Sequence, residues 1–389
     1  MSFRHARQAP ATVAWGLFCA CSWTWCIGMF LPIILLREFG WPGFLVFAVP
    51  NVLGCAAFGY VLGNASRRAD LLSRHQPATV LFSATVIGYH MFFAAFLATM
   101  VARGSSAPLA GALALPVGVY VVGYGLSRLP ARAWLPMAAV LYAGSMVTFA
   151  SVGAAPLRAI QWSGSLTGAD LACLAPVFVF GFLLSPYLDL TFHRALRSSP
   201  SRHCFAVFGI AFVPILLLTA AYRGGFTPAI IGYIVAQSIF TVAAHFRELR
   251  AASWPHGRGP RWALLAIPAA AAGLALLPGD GERTYLRLLG LYGLFFPAYV
   301  LAFMARRGSG APRIRGLLVY GGAMLAFAPA LEAAFIHSIT WPAVIPVAVM
   351  IGFAGWRQVS RPNLFGSMPR GRGFRRKKQE REGGTVDGA

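Results

Sequence analysis

Acidic residues are scarce in this chain. Asp and Glu number 11 against 33 Lys and Arg, and charged residues make up only 11% of the 389. A soluble domain carries about 25% charged residues, so a sizeable water-facing domain is excluded everywhere except residues 357–389. Cysteines are few as well: Cys19, Cys21, Cys26, Cys55, Cys173 and Cys204. All but Cys204 fall inside apolar segments, which is no disulfide framework. Cys19, Cys21 and Cys26 share one helix, yet positions 19 and 21 do not face one another, so they read as small apolar packing. Catalytic motifs are missing too: there is no P-loop, no His-Glu-x-x-His, no Gly-x-Ser-x-Gly and no paired acids within a membrane helix. The outer loops are short, with the longest at about 154–169. None resembles the acidic outer loop that a lipid-linked glycosyltransferase needs. The net charge of +22 forms no continuous stripe or recognised nucleic-acid module, so a nucleic-acid partner is not expected.

What the chain has is apolar sequence. Hydrophobic residues supply 58% of it, and its mean hydropathy is +0.65. A span needs about 20 apolar residues. Apolar runs predict helices at 13–36, 43–62, 77–101, 109–126, 133–153, 170–190, 205–221, 227–245, 262–278, 284–305, 316–336 and 340–356. Arg4 and Arg7 ahead of the first run look like a signal peptide. The run continues to Leu36 with no Ala-x-Ala cleavage site, so a retained first helix is expected. The expected fold class is an all-α polytopic membrane protein of about 12 transmembrane helices.

The positive charge points to the same class by where it lies. Alternate loops take every Lys and Arg except Arg37, Arg103, Arg158, Arg223, Arg283 and Arg287. Lys and Arg are held in the cytoplasm as hairpins insert. Both termini are therefore expected to be cytoplasmic, in a bacterial inner membrane. Residues 357–389 read as a disordered basic tail, either a solvated topology anchor or a contact for anionic lipid at about 1 kcal/mol per basic residue.

Some apolar segments are interrupted. Ser22-Trp23-Thr24-Trp25-Cys26-Ile27-Gly28-Met29-Phe30-Leu31-Pro32 places hydroxyls, Gly and Pro at membrane depth, where Pro removes a donor and clashes with the preceding turn. Phe180-Gly181-Phe182-Leu183-Leu184-Ser185-Pro186-Tyr187 repeats the device in the sixth segment, which runs the opposite way. Similar breaks at the head of two five-helix blocks suit an inverted-repeat transporter, with blocks 13–153 and 170–305 and two further helices at 316–356.

The stretch GFLLSPYLDLTFHRA, Gly181–Ala195, resembles the sixth core helix of the sodium:solute symporter family, within the amino acid–polyamine–organocation superfamily. Ser185 stands for that family's Gln, Tyr187 for its His, and Thr191 where Arg is expected. The resemblance covers this stretch and the topology alone. It implies a five-plus-five inverted repeat and alternating access for a small solute, whose identity it does not carry. It also implies a sodium ion between the broken first helix, near the carbonyls of Cys26 and Ile27, and hydroxyls of the eighth, Ser238 and Thr241. The spacing of those hydroxyls departs from the family's adjacent pair. Other cofactors are not implied.

The candidate solute-binding residues are Trp25, Gly28, Met29, Phe182, Ser185 and Tyr187. Intramembrane ionisable residues are functional candidates by default. Asp189 is expected to pair with His193 or Arg194, or with a basic residue on a neighbouring cytoplasmic loop, in an ion pair that either ends the helix or serves as a gate. Asn51, His90 and Glu332 are the other polar candidates. Two different functions stay open beside transport: a membrane scaffold or sensor signalling through the basic tail, and a membrane enzyme acting on lipid or a lipid-linked substrate, for which Asp189 and His193 are the sole acid–base candidate.

Overall fold

Apolar runs leave the backbone no partner in lipid but itself, and helices satisfy it internally. The computed structural model describes residues 3–63, 65–103, 109–222, 225–252, 263–277, 280–305 and 311–359. The expected tail over 357–389 lies almost wholly outside them. Among the described residues no strand occurs. Among the same residues eight helices are long and apolar enough to cross a membrane, and shorter apolar helices cover Leu113–Leu126, Leu265–Leu274 and Trp341–Trp356. These lengths describe an all-helical, multi-pass membrane protein.

The first apolar segment is divided. Helix α1 covers Phe3–Ser22 and α2 covers Cys26–Val61, with extended backbone at Trp25 between them. The α2 helix then folds back on itself at Gly40, whose φ of 58° is a conformation Gly adopts readily. In a straight helix residues 35 and 43 would be about 12 Å apart. Here a Cβ on Gly43 would lie 2.7 Å from the Leu35 carbonyl. The arms on either side of Gly40 therefore lie side by side.

Helices α3 (Ala65–Arg103), α4 (Leu109–Leu126), α5 (Trp134–Val152) and the short α6 (Ala155–Arg158) follow. The next segment is divided like the first: α7 covers Gly168–Leu184, a tight 3-10 turn covers Ser185–Leu188, and α8 covers Leu190–Ser198. Then come α9 (Cys204–Ala221), α10 (Pro228–Ala251) and α11 (Ala263–Leu274). A further segment joins α12 (Gly281–Gly290) to α13 (Phe296–Tyr299) through a wide π-helical turn at Leu291–Phe295, and a second such turn, Val300–Met304, follows α13. Helices α14 (Ile314–Ile336) and α15 (Val344–Val359) end the described chain.

Two sets of contacts stand out among these helices. In one, α2 lies against α7 and α9, and α1 against α8 and α9. In the other, α3 lies against α4, α10 and α11, and α4 against α10. Helix α1 also packs against α5 and α10. The apolar stretch of α3 is 89% buried, against 11% for that of α5 and 17% for that of α14. So α3 stands at the centre, and α5 and α14 present their surfaces outward.

Candidate functional site at the two helix breaks

The break after α1 is held open by side chains. The Trp25 indole N–H donates to the Ser22 carbonyl at 3.0 Å, and the Trp23 indole N–H donates to Asn51 Oδ1 at 2.7 Å. The freed carbonyls find hydroxyl donors on other helices. Thr241 of α10 donates to the carbonyls of Cys21 at 3.3 Å and Thr24 at 3.4 Å. Tyr285 of α12 donates to the carbonyls of Cys26 at 3.2 Å and Ile27 at 3.4 Å. Tyr89 of α3 in turn donates to the Tyr285 carbonyl at 2.8 Å.

The second break faces the first. Asp189 caps α8, with Oδ1 accepting from the backbone N–H of Thr191 at 2.6 Å and of Phe192 at 3.4 Å. Such a cap satisfies donors that a helix start leaves orphaned. The Thr191 hydroxyl donates to the Ser22 hydroxyl at 3.1 Å. The Trp23 and Phe192 rings lie 4.9 Å apart. The two interruptions thus touch through polar and aromatic groups at once.

Beside them is empty space. Gly28 is buried, yet a Cβ there would meet no heavy atom within 4 Å. The Trp25 ring lies 5.3 Å from Tyr292, 5.1 Å from Phe82 and 6.0 Å from His245.

The candidate residues separate into two sets. Trp25, Gly28 and Met29 are buried at the first break. Phe182 packs 4.9 Å from Phe47 of α2, in the contact between α2 and α7. Ser185 donates to the Tyr292 carbonyl at 3.3 Å, and the Tyr187 ring lies 5.7 Å from Phe58. The four expected sodium-site residues do not converge. Thr241 meets Cys21 and Thr24, one turn before the expected carbonyls, because Tyr285 occupies those of Cys26 and Ile27. Ser238 is buried one turn away on the same helix.

The expected pairing of Asp189 with His193 or Arg194 is corrected by the geometry. Arg194 instead reaches Glu248 at 3.4 Å, both being under 10% exposed. Its guanidinium lies over the Phe18 and Trp134 rings at 5.2 and 5.1 Å. His193 Nε2 donates to the Tyr187 carbonyl at 2.9 Å. Asp189 Oδ2 faces His245 Nε2 at 4.0 Å. Glu332 makes an exposed ion pair with Arg287 at 2.6 Å, and His90 Nδ1 donates to the Val86 carbonyl at 2.9 Å. Among the described residues no group of three His, Cys, Asp or Glu side chains is arranged to hold a metal ion.

Sequence reasoning missed His245, Glu248, Tyr285 and Tyr292. A signal for the first two existed. Ser238, Thr241, His245 and Glu248 are spaced three, four and three apart, which places them on one face of α10.

Each end of the molecule also has a cavity. One of about 350 Å³ is lined by Arg68, Gln76, His193, Arg194, Arg197 and Glu248, among others. One of about 320 Å³ at the opposite end includes Arg37, Glu38, Asp280 and Glu282. There Arg37 pairs with Glu282 at 2.5 Å, joining α2 to α12. No protein-family model, curated protein or solved structure matches this chain.

Proposed function

We propose that this protein is a secondary transporter for a small solute, working by alternating access around the two helix breaks. The observation that carries this is the direct contact of two interrupted helices, through Thr191 and Ser22, beside the unfilled space at buried Gly28. A helix interrupted at membrane depth is tolerated where it is enclosed by protein or lines a cavity, and transporters use such interruptions to hold solutes and ions.

The packing groups support an inverted repeat. Count α1 with the first arm of α2 as segment one, the second arm as segment two, and α7 with α8 as segment six. One group then contains segments one, two, six and seven, and the other three, four, eight and nine. Each group is closed under a shift of five, as two repeats of five helices require. Twelve spans in a bacterial inner membrane, with both termini cytoplasmic, complete the proposal. In that orientation the Arg37–Glu282 pair bars the outer end, while the arginine-lined cavity opens towards the cytoplasm.

The test is labelling of Gly28→Cys with a membrane-impermeant thiol reagent, applied from each face in turn. Alternating access expects reaction from the cytoplasmic face, and from the outer face once Glu282→Gln removes the outer pair. A thiol that never reacts from either face would sink the proposal.

A second reading concerns sodium. The Thr241 hydroxyl lies beside two freed carbonyls of the first break, and carbonyl and hydroxyl oxygens suit a hard cation. If sodium binds there, it stabilises the native state by RT ln(1 + [L]/Kd). The melting temperature should then rise in sodium relative to potassium at equal ionic strength, and Ser238→Ala/Thr241→Ala should abolish the difference. An unchanged wild-type melting temperature would dismiss the ion.

A further inference from the structure

At the meeting point of the two breaks lies a group of buried ionisable side chains whose hydrogen bonds are incomplete. Asp189 and His245 are 0% exposed, as is His90 of α3. Asp189 uses Oδ1 as a helix cap, and its Oδ2 has no partner within the protein; neither ring nitrogen of His245 has one, nor has His90 Nε2. Buried polar groups are almost always paired, and an orphan calls for a specific reason. Two of these orphans face each other. Asp189 Oδ2 and His245 Nε2 are 4.0 Å apart, just beyond hydrogen-bond length, and His245 is within electrostatic reach of His90.

The hydrogen bonds fix part of the protonation. His90 Nδ1 faces the Val86 carbonyl, which can only accept, so Nδ1 carries the proton and Nε2 presents a lone pair. His193 is fixed the same way, since Nε2 meets the Tyr187 carbonyl and leaves Nδ1 as a base. His193 also lines the arginine-bearing cavity, so an acceptor stands between that opening and Asp189.

We propose that Asp189, His245 and His90 form a buried proton-binding site that couples proton movement to solute transport. The proton is taken up between Asp189 Oδ2 and His245 Nε2, turning a gap between two orphaned atoms into one hydrogen bond. The side chain of Asp189 closes the gap by a small rotation. Because Oδ1 caps α8, that rotation acts on the second break itself. The His245 ring lies 6.0 Å from the Trp25 ring of the first break, in an edge contact. The other titratable groups within reach of Asp189 are Cys19 of α1, Cys55 of α2, Glu248 of α10 and Tyr292 at the π-helical turn. Glu248 is already held by Arg194. Arg68 and Arg197 act on His193 from the cavity side. This inference rests on the transporter reading for its function, but not for the existence of the site.

The experiment is an infrared pH titration of the full chain in lipid, with sodium held constant, following the carbonyl stretch of protonated carboxyl groups. Asp189→Asn keeps a capping oxygen but cannot take the proton. The band component that titrates in wild type should vanish in this variant. His245→Gln and His90→Gln should each displace the midpoint of that component, the former by at least tenfold in proton concentration. A band unchanged by Asp189→Asn overturns the proposal. So does a midpoint that His245→Gln moves less than twofold, and this variant decides alone if Asp189→Asn does not fold. Labelling of Gly28→Cys separates the two ideas. A titrating Asp189 in a protein whose thiol at position 28 never alternates in accessibility keeps the proton site and removes the transporter. Alternating accessibility without the band does the reverse.

Discussion

A single ion pair behaves differently according to where it lies, and this chain contains both extremes. Arg194 and Glu248 are buried together, with the guanidinium over the Phe18 and Trp134 rings. Removing one partner strands the other charge, at a cost of about 3–5 kcal/mol. Glu248→Gln should therefore lower the thermal unfolding midpoint clearly, while replacing both residues with apolar ones of similar volume should restore much of the loss. An undiminished midpoint in Glu248→Gln would show that the pair contributes little. Arg37 and Glu282 approach each other more closely, yet their side chains are 49% and 28% exposed. Such a pair contributes about 0–1 kcal/mol, so Glu282→Gln should leave the midpoint nearly unmoved. These partners were not legible in the sequence. Asp189, His193 and Arg194 are neighbours along the chain, but Asp189 and Arg194 face different residues of α10, and His193 turns back to the Tyr187 carbonyl. Local spacing cannot reveal a partner supplied by α10.

At the scale of the element, Gly28 and Gly54 make opposite predictions. A Cβ on Gly54 would collide with the Phe182 carbonyl oxygen, so α2 and α7 approach there backbone to backbone. Gly54→Ala should force them apart, with a loss of about 1–3 kcal/mol by overpacking. Gly28→Ala meets nothing and should be neutral or slightly stabilising. Equal midpoints for the two variants would contradict this packing. The sequence showed both interrupted helices but misplaced the first. Gly28 and Pro32 suggested a break around them, whereas the chain opens at Trp23–Trp25 and both residues lie within α2. The reason is tertiary. Thr241, Asn51 and Tyr285 satisfy the groups that the opening frees, and only the folded chain brings them there. The second break was better marked, because Pro186 sits in the 3-10 turn itself and Asp189 is an efficient cap.

For the molecule as a whole, the pattern of charge gives the most direct test. Reporter fusions after Arg128 and Arg250 should report cytoplasm, and fusions near Gly104 and Gly281 the opposite side. A C-terminus outside the cytoplasm would overturn the orientation and the twelve-span count together. The general class was legible because membrane insertion writes itself into composition and loop charge, which need no tertiary contact. The fold-back at Gly40 carries a consequence for synthesis. In the proposed orientation, with so little chain between its arms, the second arm would follow the first into the bilayer as one hairpin, and the tip would cross ahead of both. Arg37 is near that tip, and a lone guanidinium would resist the crossing. Glu38 travels beside it, 2.8 Å from the guanidinium, so the tip crosses without net charge. Newly made chains carrying Glu38→Gln should accumulate with residues 37–43 stranded on the side where translation occurs.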